Sequence, residues 1–104
     1  MNFSAEKDCL SLLIERLLEK EYFLGKYGKH LSKEYPKYLD KSINRLQAGV
    51  KLILEKNLNA KEFLIESLDK IYSKSLNSFC EKGEFNKNNF PKECLWTFEE
   101  IMKE

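Results

Sequence analysis

Apolar positions recur with helical period in four stretches of the chain, separated by short polar or turn-rich breaks. In the first, from about Ala5 to Leu24, Leu10, Leu13, Ile14, Leu17 and Leu24 fall on one face. Ser4 is placed to cap this helix, Glu6 and Asp8 stand in its first turn where acid complements the dipole, and Gly25 and Gly28 are expected to end it. The second helix begins near Pro36, since proline forfeits no hydrogen bond at the first helical position, and runs to about Lys56. Its stripe of Leu39, Ile43, Leu46, Val50 and Ile53 alternates four- and three-residue steps, which predicts near-antiparallel packing. Gly49 within it costs about 1 kcal/mol against Ala, a cost that a close helix crossing would explain. Asn59 and Glu62 form a predicted capping box that opens the third helix. That helix runs to about Glu81 and buries Leu64, Leu68, Ile71, Tyr72 and Phe79. Gly83 to Asn89 is a polar loop, and Pro91 opens a short last helix with Leu95, Phe98, Ile101 and Met102 on one face. Connections this short make successive helices neighbours. The prediction is one all-α domain over residues 1–104, an antiparallel four-helix bundle with a short last helix.

Composition narrows the function classes. The chain has 104 residues, 42% hydrophobic and 34% charged, which suits helices with wide wet faces, and four Gly and two Pro are too few for a many-turned β fold. Cys9, Cys80 and Cys94 are odd in number and none forms a C-x-x-C pair, so neither a disulfide framework nor a zinc site is expected; reduced, mostly buried thiols are. No segment approaches the roughly 20 apolar residues of a bilayer span, and the first residues lack the basic and apolar regions of a secretion signal, so a cytoplasmic protein without membrane contact is expected. His30 is the one histidine, no Glu-x-x-His pair occurs, and Gly25-Lys26-Tyr27-Gly28-Lys29 does not match a phosphate-binding loop. With no metal, cofactor or catalytic constellation in view, the expectation is a binding protein and not an enzyme.

The charge is segregated. Residues 1–24 carry three basic and five acidic side chains, a net −2; residues 25–61 carry nine and three, a net +6; residues 62–104 carry six and nine, a net −3. The chain as a whole is +1. Two acidic stripes stand out. Glu62, Glu66 and Asp69 share a face of the third helix, and Asp8, Glu15 and Glu19 share a face of the first, with Leu12 and Phe23 set among them. Apolar anchors within a charged rim are the pattern of a protein-binding surface. Against these, Lys37, Lys41 and Arg45 step along the second helix in four-residue intervals opposite its apolar stripe, and Lys33 precedes it, near Tyr22, Phe23, Tyr27, Tyr35 and Tyr38. Basic residues interleaved with aromatics are the material of a nucleic-acid surface, ammonium groups on phosphates and rings on bases, which is the alternative function.

The run Leu58-Asn59-Ala60-Lys61-Glu62-Phe63-Leu64, followed by Leu68 and Tyr72, resembles the helix start of small helical immunity proteins, namely the colicin D immunity family and related proteins of contact-dependent growth inhibition systems. The resemblance covers about 15 residues. It implies an inhibitor of the immunity or antitoxin sort, bacterial, that neutralises a cognate toxin domain by stoichiometric binding, with Glu62, Glu66 and Asp69 mimicking phosphates against a basic toxin cleft. Such inhibitors of nucleases are often clearly acidic, whereas this chain is near neutral and its second helix is basic.

Overall fold

A computed structural model describes residues 4–103; the side chains of Ser4 and His30 lie outside the described residues, and with them the expected Ser4 cap. The described residues form helices and no strand. They comprise α1 (Ser4–Leu18), a π-helical stretch (Glu19–Phe23), α2 (Leu24–Tyr27), a 3-10 turn (Gly28–His30), α3 (Glu34–Lys56), α4 (Ala60–Glu66), α5 (Leu68–Gly83), a second 3-10 turn (Lys87–Asn89) and α6 (Phe98–Ile101). None of these helices is long and apolar enough to cross a membrane.

The expected apolar stripes form the core. Leu10, Leu13 and Ile14 of α1 are fully enclosed, joined by Leu18, and they meet Ile43 and Val50 of α3 and Ile71, Tyr72, Leu76 and Phe79 of α5. α1 lies between the other two long helices. Its contacts with α3 run in opposite numerical order: Cys9 Sγ faces the Leu46 carbonyl at 3.7 Å, whereas Lys20 pairs with Asp40 at 2.9 Å. The two are therefore antiparallel. With α5 the order is the same, from the Ser11–Ser75 hydroxyl pair at 2.8 Å to Tyr27 against Gly83 at 2.9 Å, so α1 and α5 are parallel neighbours.

The four-helix expectation needs correction at three places. The third helix is two, because Ser67 (φ −94°, ψ 1°) breaks the regular turn between α4 and α5. Asn59 is itself in a right-handed helical conformation and its side chain makes no capping bond, so the Asn59–Glu62 box does not form. Pro91 lies in an irregular strap, and the last helix opens only at Thr97, which forms a capping box with Glu100 at 3.0 and 3.1 Å.

That strap replaces a fourth long helix. Tyr72, enclosed in the core, donates its hydroxyl to the Pro91 carbonyl, Asp69 accepts the Cys94 N–H, and buried Gln47 of α3 donates to the carbonyls of Ile101 and Lys103. The chain end thus runs back from α5 to α3 on side-chain hydrogen bonds.

The glycines also depart from expectation. Gly25 lies inside α2 and does not stop the first helix, whereas Gly28 is the C-cap at which α2 ends, with right-handed angles (φ −54°, ψ −34°) in place of the left-handed ones a glycine cap usually takes. Pro36 stands third in α3, still within the turn whose N–H groups have no helical acceptor. Gly49 does mark the α1–α3 crossing, but an added Cβ would sit 3.5 Å from Cys9 Sγ, an ordinary contact.

Candidate partner-binding cleft

An α-helix turns about 100° per residue, so side chains four apart drift by roughly 40° at each step. Glu15, Glu19 and Phe23 would fan out on such a helix. The π-helical turn at Glu19–Phe23 takes more residues per turn and reverses the drift over its last step. The Leu24 N–H accordingly reaches back five residues to the Glu19 carbonyl. All three side chains then line one cleft of about 160 Å³, closed on the far side by Tyr35 of α3 and by Phe79, Lys82 and Gly83 of α5.

The two carboxylates in the cleft are unlike. Glu19 is committed: Arg16 donates to Oε1 at 2.9 Å and the Tyr35 hydroxyl to Oε2 at 3.2 Å. Burial, reinforced by the Glu19 charge, pushes the Tyr35 phenol up to about 12, so it is held as the donor. Glu15 is 8% exposed and makes no hydrogen bond among the described residues. Among the described residues its one ion pair is with Lys82 Nζ at 3.8 Å, on a side chain that is mostly in solvent.

The walls are aromatic. Phe23 and Tyr35 stand 6.1 Å apart, and Phe23 rests on Tyr27 at 4.7 Å. Phe79 stacks on Phe85 at 4.9 Å. The floor is the end of α5. Glu84 takes a left-handed conformation (φ 56°), and the Phe85 N–H returns to the Cys80 carbonyl at 2.9 Å. This is a hydrogen-bonded C-terminal turn whose apolar contact is Phe85 on Phe79. Tyr27 donates to the Gly83 carbonyl and Lys26 to that of Glu84 at 3.1 Å, so side chains of the first helix cap the third long one.

The remaining sequence candidates fall elsewhere. Asp8 is exposed beside a groove of about 410 Å³ between α1 and the α4–α5 junction, in the company of Lys7, Lys70 and Lys74. Leu12 is 43% exposed on α1. Glu62 and Glu66 are exposed on α4 with Ile65 between them, and Asp69 is exposed but spends one oxygen on the strap. The stripe expected on the first helix therefore divides into an exposed end, Asp8 and Leu12, and an enclosed end, Glu15, Glu19 and Phe23.

Lys33, Lys37, Lys41 and Arg45 are all exposed, and none has an ion pair among the described residues. Of the aromatics near them only Tyr38, at 54%, is substantially exposed. Tyr22, Phe23, Tyr27 and Tyr35 are half-buried and occupied with other rings. Spacing along the chain does not join Tyr35, Phe79 and Lys82 to the acidic stripe, because their proximity arises across three helices.

Burial raises the thiols of Cys9, Cys80 and Cys94 above the ordinary range, which disfavours the reactive thiolate. Among the described residues, no group of three or more His, Cys, Asp or Glu side chains is placed to hold a metal ion. No curated protein and no solved structure matches the chain. A family model described as Domain of unknown function DUF29 matches residues 4–104, and the chain belongs to that family.

Proposed function

We propose that this protein acts by binding a protein partner stoichiometrically, as an inhibitor of the immunity or antitoxin sort, and that the acidic side of the first helix faces the partner. One observation carries this reading. Glu15 is nine-tenths buried without a hydrogen bond, in a cleft lined by aromatic rings. A carboxylate on a largely buried side chain, with no hydrogen bond among the described residues, is what a binding surface supplies to a basic partner. Exposed Leu12, one turn away on α1, offers an apolar anchor beside it. The likeness of residues 58–64 to the helix start of toxin-immunity proteins supports the inhibitor reading, and Glu62 and Glu66 extend the acidic surface onto α4.

The test is recovery of the tagged protein from its source cells with and without nuclease. A single protein near 1:1, retained after nuclease and lost from a Leu12→Asp, Glu15→Lys double variant, is expected. Partners released by nuclease would overturn the proposal in favour of nucleic acid. The observation on that side is the row Lys37, Lys41 and Arg45, without an ion pair among the described residues, with exposed Tyr38. It predicts binding that weakens steeply with salt.

A further inference from the structure

We infer that the cleft between the π-helical turn and the end of α5 is a socket for a single organic cation, the ammonium or guanidinium end of a basic side chain on the partner. The inference rests on the proposed function for the source of that cation, and on the cleft alone for its chemistry.

Size comes first. At about 160 Å³ the cleft is smaller than the roughly 300–1,000 Å³ of sites that enclose whole small molecules. It suits the end of one side chain. Charge comes second. Arg16 and Tyr35 take both oxygens of Glu19, which leaves Glu15 as the acceptor not yet used. A cation seated there gains a charge-assisted hydrogen bond from the carboxylate of a side chain that is nine-tenths buried. The walls come third. Phe23, Tyr35 and Phe79 place ring surface around the same space, and aromatic faces within about 6 Å attract ammonium and guanidinium groups.

Lys82 completes the arrangement. Its ammonium is 3.8 Å from Glu15, too far for a hydrogen bond, and its side chain is 73% exposed. A pair of this kind holds weakly and is screened by salt. Lys82 therefore acts as an exchangeable counter-ion at the mouth, which a better-fitting cation displaces by moving the lysine into solvent.

The experiment is an NMR titration of the full chain with butylammonium, with agmatine and with a short peptide carrying one arginine, at low salt. Saturable shifts confined to Phe23, Tyr35, Phe79 and Gly83 are expected. Glu15→Gln should weaken binding by about tenfold or more, the loss expected for one hydrogen bond to a charged group. Lys82→Ala should strengthen it, and Glu55→Gln, a charge-matched change on α3, should leave it alone. Tighter binding of the peptide than of either free cation supports a partner side chain as the occupant; equal binding overturns that source while leaving the cation site standing. Absence of saturable shifts in both the native chain and Lys82→Ala, or undiminished binding by Glu15→Gln, overturns the site itself. Because the probes are small cations, a chain that recovers no partner from cells can still pass this test, so the two proposals fail separately.

Discussion

The two charged regions of this molecule look equivalent as spacings in the chain and are opposite as structures. Glu15, Glu19 and Phe23 on the first helix follow one another at four-residue intervals, as do Lys33 at the N-cap of α3 and Lys37, Lys41 and Arg45 along it. The acidic set is drawn inward and walled by rings, with Glu19 tied by Arg16 and Tyr35. The basic set stays in solvent with no ion pair among the described residues. Charge in water is weakly coupled to the fold, and long lysines on an outer helix face mainly keep it wet. Charge held in a fixed, partly dry cleft is coupled both to stability and to whatever enters. Burial, which spacing does not reveal, separates the two.

Substitutions in the two regions test that contrast. Phe79→Ala should have the largest effect, a loss of about 3–5 kcal/mol, because the ring is both core and cleft wall. Chemical denaturation measures it, and a loss under about 1 kcal/mol would mean that the cleft wall is not part of the packed interior. Gly83→Ala should cost about 1–3 kcal/mol. Its Cβ would come within 2.6 Å of the Phe85 ring, which Phe79, Tyr27 and Phe90 hold in place. Gly49→Ala, with only an ordinary contact to Cys9, should instead stabilise by about 1 kcal/mol through helix propensity.

Glu15→Gln should leave stability unchanged or raise it by up to about 1 kcal/mol. The change removes a buried charge and strands only a solvated lysine. A clear loss would show that the Glu15–Lys82 pair holds the fold together. The smallest effect belongs to Lys41→Glu with Arg45→Glu, within about 0.5 kcal/mol, as for surface changes away from special contacts.

Alkaline pH probes the same cleft. The Tyr35 phenol is raised from about 10 to about 12, chiefly by burial, so the folded state favours its protonated form. That contribution is complete below pH 10 and is lost as pH rises through 12. The stability difference between the native chain and Tyr35→Phe should therefore hold steady to pH 10 and shrink above it.

Much of this architecture was legible in the sequence. The apolar stripes at Leu10–Ile14, Leu39–Val50 and Leu64–Phe79 are core because three- and four-residue periodicity is a direct consequence of helix geometry. The π-helical turn was not legible, since local composition does not distinguish a five-residue return from a four-residue one. The strap was missed because its anchors, Tyr72, Asp69 and Gln47, act on backbone carbonyls and an N–H far along the chain. Gln47 in particular sits on the buried face of α3, four residues after Ile43 and three before Val50, and is polar for its partners. The cleft was half visible: its acids were marked from their spacing, while its rings and Lys82 come from elements that only the tertiary fold brings together.

The most direct test is to measure the affinity of the captured partner in parallel for Glu15→Gln and for the Lys41→Glu, Arg45→Glu pair. At least a tenfold loss is expected for the first, from one charge-assisted hydrogen bond, and little change for the second. The reverse outcome, with Glu15→Gln binding normally and the α3 pair failing, would contradict that expectation and move the functional surface to the basic face.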